Sequence, residues 1–136
     1  MNPITLYRAA SVLLLIFAAG HTSGVFSKPP SPEAKAVNDA MNGVHFTFMG
    51  ADCTYGGFQF GYGLTLTGYL LFGALMAWQL GGLSQTQPGQ IQVIAWGFFT
   101  CQALVCAISW KYFFAGPGVI STLVVLCLGG AAWQLA

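Results

Sequence analysis

Residues 58–80 read FQFGYGLTLTGYLLFGALMAWQL, with no Asp, Glu, Lys or Arg among them. About 20 mainly apolar residues are enough for a helix to cross a bilayer. Backbone N–H and C=O groups in lipid must pair internally, and a helix pairs them within one segment. The segment therefore predicts a transmembrane helix. Three more stretches meet the same test: about 6–26, centred on Val12-Leu13-Leu14-Leu15-Ile16-Phe17, about 91–110 and about 117–135. The period-two alternation of a small membrane barrel is absent. The first stretch also has marks of a secretion signal, with Arg8, an apolar run and then Ala18-Ala19-Gly20. The three spans after it favour reading it as a span as well.

Composition points the same way. The chain has 136 residues, of which 56% are hydrophobic, 15% aromatic and 5% charged. Soluble domains average roughly 25% charged residues, so seven charges would not cover the surface of a soluble domain of this size. Disorder is excluded by the high hydrophobicity. Nucleic-acid binding is excluded by the shortage of basic residues, since four Lys and Arg neutralise few phosphates. The expected fold is all-α: a four-helix transmembrane bundle forming one domain over residues 1–136, with a short amphipathic cap helix between spans one and two.

The connections are unequal. Residues 81–90 form an uncharged turn, and residues 111–116 a tight one closed by Pro117 at the start of the fourth helix, where a missing N–H costs nothing. Residues 27–57 are much longer, and connections of that length usually carry structure or function. Ser31-Pro32-Glu33 is a helix start: a capping hydroxyl, Pro in the first turn and an acid at the positive end of the dipole. Val37, Met41, Val44 and Phe48 follow at spacings of four, three and four, one apolar face. This predicts an amphipathic helix from Pro32 to about Met49, lying on the bundle or in the membrane interface. Gly43 interrupts it at a cost of about 1 kcal/mol. A stop there would leave Val44 to Phe48 extended.

Four spans place residues 27–57 and Lys111 on one side, the cap side. His21, Glu33, Asp39, His45, Asp52, Cys53 and Tyr55 then fall at or beyond that interface, so every acid and both histidines gather at one end. Lys28, Lys35 and Lys111 against Arg8 leave the orientation undetermined. His21, His45 and Asp52 are the candidate catalytic groups, since a histidine beside a carboxylate can move protons near neutral pH. The plain alternative is that His21 anchors the connection by bonding a backbone carbonyl or Asp52. His21, His45, Asp52 and Cys53 are donor types suited to zinc or copper, but their spacing matches no metal signature. No cofactor is assigned; haem held by the two histidines, a quinone and a metal ion stay open.

Cys101, Cys106 and Cys127 read as buried thiols, and there is no Cys-x-x-Cys pair. Gly57 and Gly61, continued by Gly63, Gly68 and Gly73, read as a close-packing stripe with room for a ligand at one end. Gln102 is expected to bond a neighbouring helix. Tyr7, Trp78, Trp96, Trp110, Tyr112 and Trp133 form an expected aromatic belt. No span carries a carboxylate, which argues against an ion-coupled transporter.

Gly20-His21-Thr22 near the end of the first span, Phe46-x-Phe48-Met49-Gly50, Tyr55-x-x-Phe58-x-x-Gly61-Tyr62-Gly63-Leu64 and Trp110-Lys111-Tyr112-Phe113-Phe114 together resemble a family of small uncharacterised bacterial four-helix membrane proteins, DoxX-like in architecture. The likeness runs over nearly the whole chain. It implies the fold and a place in the bacterial inner membrane, not a reaction. It draws attention to His21, Met49, Gly50, Tyr55, Phe58, Gly61 and Gly63. One departure is clear: relatives carry Trp-Asp after the tyrosine and a basic residue before it. Here Gly56-Gly57 follow Tyr55, and Asp52 and Cys53 precede it.

Three functions fit these residues. The leading expectation is a non-enzymatic ligand-binding or accessory bundle for a lipid, quinone or other apolar molecule. His21 and Tyr55 would supply polar contacts, Phe48, Met49 and Phe58 an apolar wall, and Gly61 the room. The second is a membrane-embedded isomerase or quinone-linked redox enzyme using His21, His45 and Asp52. The third is a structural subunit of a larger membrane complex, or a homo-oligomer. Membrane lipid is the partner common to all three.

Overall fold

The computed structural model describes residues 2–135. In chain order the elements are α1 (Pro3–Val25), α2 (Pro32–Gly43), β1 (His45–Phe48), β2 (Ala51–Thr54), α3 (Tyr55–Thr86), α4 (Pro88–Tyr112) and α5 (Ala115–Trp133). Among the described residues, α1, α3, α4 and α5 are long and apolar enough to cross a membrane. The chain is a small integral membrane protein, mostly helical, with the short helix α2 between the first two spans.

Four of the five helix starts have a local cause. The Asn2 side-chain oxygen accepts from the Thr5 backbone N–H at 3.0 Å, ahead of Pro3 in the first turn of α1. Ser31 caps α2 through the Ala34 N–H at 3.2 Å, as its sequence signature requires. The Thr54 hydroxyl accepts from the Gly57 N–H at 3.0 Å and opens α3. Pro88 has no N–H to donate and drives the residue before it out of the helical region. Gln87 accordingly sits at φ −143°, ψ 52°.

That single residue is all that separates α3 from α4, so the expected turn over residues 81–90 is wrong. Its glycines looked like breakers, but tertiary contact uses one of them. A Cβ on Gly81 would lie 3.3 Å from the Tyr7 Cβ, so the missing side chain lets α1 and α3 approach. The fourth span likewise begins at Ala115, before Pro117, and α4 runs on to Tyr112.

The chain forms two compact units, one of residues 2–18 and 70–135, the other Ala19–Tyr69. α1 and α3 contribute to both. The first unit is a four-helix bundle. Tyr7, Ala10, Ser11, Leu14 and Ala18 make the buried stripe of α1. Leu70, Gly73, Ala74, Ala77, Leu80, Gly81 and Ser84 make that of α3. Both repeat at three- and four-residue steps, one helix face. Small residues dominate because lipid gives helices no hydrophobic reason to associate, and close van der Waals packing must do it. The Ser11 hydroxyl adds an interhelical bond to the Ala74 carbonyl at 2.8 Å, worth about 0.6 kcal/mol in a membrane. Gly129 and Gly118 of α5 admit the rings of Phe99 and Trp110 from α4.

Four expectations change here. Tyr7, expected in an aromatic belt, is fully buried in this bundle. Cys101 is exposed instead of buried. Gln102 lays its amide against Gly73 and, among the described residues, makes no hydrogen bond to a neighbouring helix. The glycine stripe is used only in part: Gly63 and Gly73 have side chains from other helices against them, while Gly61 and Gly68 face open space.

In the second unit, α2 stops at Gly43, and the expected helix to Met49 is corrected to a β-hairpin. His45 pairs with Thr54, Phe46 with Cys53, Thr47 with Asp52 and Phe48 with Ala51. Met49 at φ 50° and Gly50 at φ 87° make the two-residue turn, whose positive φ values match the twist of the strands. Glycine is at home there, while a methionine at φ 50° is uncommon. The residues after Gly43 are β-branched or aromatic, poor at extending a helix and good on a pleated surface. Helix propagation therefore loses at Gly43, and strand pairing with residues 51–54 takes over.

Candidate functional site

All three acids and both histidines fall within Ala19–Tyr69. This unit holds every sequence-predicted site residue, and the fold sorts them into separate groups.

His21, near the end of α1, bonds through Nε2 to the Gly63 carbonyl of α3 at 2.9 Å. A carbonyl only accepts, so Nε2 carries the proton and donates. The Thr67 hydroxyl also donates to this carbonyl at 3.2 Å, and the Thr22 and Thr67 hydroxyls meet at 2.9 Å. Gly63 is needed for this approach, since a Cβ there would lie 2.8 Å from a Val25 methyl. His21 thus behaves as a helix-to-helix tie to a backbone carbonyl, the plainer of the two alternatives.

His45 and Asp52 come together on one face of the hairpin, with Nδ1 to carboxylate 2.8 Å. Period-two alternation puts residues 45, 47, 52 and 54 on that face. Both partners are well exposed, at 60% and 71%. Exposed ion pairs contribute roughly 0–1 kcal/mol, so this is a solvated contact. His21 does not bond to either, so the three candidate groups do not form one hydrogen-bonded set. Among the described residues no group of three His, Cys, Asp or Glu side chains could hold a metal ion.

The opposite hairpin face carries Phe46 and Phe48. Phe46 lies 4.9 Å from the Tyr55 ring and 5.9 Å from Phe58, and Phe48 lies 6.4 Å from Phe58. Such edge and tilted contacts each add about 0.5–1.5 kcal/mol beyond area burial. Phe48, Tyr55 and Phe58 therefore share one aromatic cluster, which fixes the hairpin to the start of α3. Met49 stands clear at the turn, 93% exposed, and Gly61 has nothing near it.

A cleft of about 570 Å³ opens elsewhere in this unit. Its walls are Gly24 and Val25 of α1, Ser27 to Pro30, one face of α2, and Gly56, Gly57, Gln59 and Phe60 of α3. α2 contributes Ala34, Val37, Asn38, Met41 and Asn42, which recur at helical steps. The apolar residues are Val25, Val37, Met41 and Phe60. The polar ones are Ser27, Lys28, Asn38, Asn42 and Gln59. A Cβ on Gly56 would make the Asn42 side-chain amide shift, an amide that donates to the Asn38 carbonyl at 2.8 Å. His21, Phe48, Met49, Tyr55, Phe58 and Gly61 lie outside these walls. The sequence did hold a signal for the cleft in the Val37–Met41 face of α2 and in the paired Gly56-Gly57. What it did not show is that these two features oppose each other.

Charge around α2 is locally arranged. Lys35 and Asp39 pair one turn apart. The Glu33 carboxyl is held below its ordinary value by the backbone N–H of Glu33 and then by the Ser31 hydroxyl.

Compared with family models, with curated proteins and with solved structures, the chain matches none of them.

Proposed function

We propose that the protein binds an amphiphilic apolar molecule, a membrane lipid or a quinone, in the cleft between α2 and the start of α3, as a ligand-binding or accessory protein. The observation that carries this is the composition of the wall. One face of α2 supplies Val37 and Met41, Phe60 and Val25 face the same space, and amides and Lys28 sit among them. Ligand sites are concave, with volumes of about 300–1,000 Å³, and this cleft offers apolar and polar surface in about equal share, which suits the two ends of an amphiphile. Pro29 and Pro30 stiffen the wall, so less order is lost on binding. The aromatic cluster of Phe48, Tyr55 and Phe58 supports this role at one remove, by holding the hairpin that follows α2. The DoxX-like likeness and a place in the bacterial inner membrane belong to the same proposal.

The test is a native mass spectrum of the protein released gently from its own membrane, repeated for Val37→Asp and Met41→Asp. A carboxylate in the apolar wall is expected to cut the bound adduct at least tenfold, about 1.4 kcal/mol, with helix content unchanged. A bare wild-type chain, or an adduct that both variants keep, overturns the proposal.

A further inference from the structure

We propose that Arg8 of α1, laid on Trp78 of α3, forms a binding site for a phosphate group of the kind a phospholipid headgroup carries. The site lies within the four-helix bundle and is independent of the cleft. The guanidinium carbon is 3.2 Å from the Trp78 ring centroid, a face-on stack. The stem is held as well, because Gly81 leaves room: a Cβ there would lie 3.5 Å from Arg8 Nε. Nη1 is enclosed and, among the described residues, has no hydrogen-bond partner. The arginine is therefore a fixed cation on a half-buried side chain, not a mobile surface group.

Among the described residues, no acidic side chain of this unit pairs with Arg8. Glu33, Asp39 and Asp52 are the only acidic side chains in the sequence, and all three belong to the other compact unit. The other cation of the bundle, Lys111, is exposed to its surroundings. A desolvated cation needs an opposite charge, and the aromatic face supplies only part of one. Depth identifies the source. Arg8 is the sixth residue of α1, about 8 Å from the helix start at 1.5 Å per residue. The 23 residues of α1 span about 35 Å, against about 30 Å of hydrocarbon. A centred α1 puts the Arg8 backbone about 5 Å inside the hydrocarbon edge, from where an arginine side chain directed toward the helix start reaches the headgroup region, a level that tryptophan also favours. With Nη1 enclosed, the nitrogens left to meet a phosphate are Nε and Nη2 of a half-buried side chain, and guanidinium N–H groups suit phosphate oxygens.

The experiment compares thermal unfolding of the whole protein in phosphate-free maltoside micelles alone and with added phosphatidylglycerol. A parallel series uses detergent micelles with millimolar inorganic phosphate. Wild-type protein is expected to gain several degrees with the anionic lipid, Arg8→Gln to lose that gain, and Arg8→Lys to keep a smaller one. A gain from inorganic phosphate that Arg8→Gln abolishes also upholds the site and makes free phosphate its ligand. No gain in wild-type protein from either source overturns the proposal, as does an equal gain in Arg8→Gln. Should Arg8→Gln fail to fold, Arg8→Lys decides: a gain equal to wild type refutes the fork-specific site.

Discussion

Gly56→Ala separates the shape of the cleft from the stability of the fold. The new methyl would overlap the Asn42 amide, which must turn away and give up its bond to the Asn38 carbonyl. A lost hydrogen bond of this kind costs about 0.5–1.5 kcal/mol. Gly56 is the second residue of α3, and alanine in place of glycine within a helix returns up to about 1 kcal/mol. The two nearly cancel, so the unfolding midpoint should move by only a few degrees. Binding should not be spared. The methyl and the displaced amide both take space from the cleft, and losing one or two methylene-sized ligand contacts at about 0.8 kcal/mol each amounts to roughly 4- to 15-fold in affinity. The assay is lipid or quinone adduct retained in native mass spectra, run beside thermal unfolding on the same preparations. Adding Asn42→Ala to Gly56→Ala removes the colliding amide and should recover part of the loss. Undiminished adduct in Gly56→Ala, or no recovery in the double variant, would refute the idea that this glycine keeps the cleft open.

Two further outcomes follow from the same unit. Gly63→Ala brings a methyl to 2.8 Å from Val25 and should destabilise by about 1–3 kcal/mol through overpacking, with Val25→Ala restoring part of it; a melting series in which the double variant is no better than the sum of the singles would count against the close approach. The Glu33 carboxyl titrates below its ordinary value, so its contribution to α2 is complete above the unfolded pKa and is lost as pH falls through the folded one. NMR titration should show the depressed Glu33 midpoint, and Ser31→Ala should raise it; an unchanged midpoint in that variant would exclude the hydroxyl as a cause.

The four spans were legible because crossing lipid is a local requirement: enough consecutive apolar residues with internally paired backbone, whatever their neighbours do. The start of α2 was legible for the same reason, since Ser31, Pro32 and Glu33 act within one turn. The hairpin was harder. Val37, Met41, Val44 and Phe48 keep helical spacing past Gly43, and only pairing with residues 51–54 reveals that Phe48 belongs to a strand and Val44 to the extended residue before it. Gly81 read as a turn because local propensity cannot see Tyr7 lying against it. His21, His45 and Asp52 looked equivalent as titratable groups near one interface. Their fates diverge because Gly63 lets His21 reach a backbone carbonyl, while hairpin register brings His45 to Asp52. The cleft belongs wholly to tertiary structure: its walls lie some twenty residues apart in the chain, and no local pattern says which faces will oppose. Sequence alone thus determined that the chain enters a membrane and roughly where its four spans lie. Which side chains meet is set by non-local packing, and that only the folded chain decides.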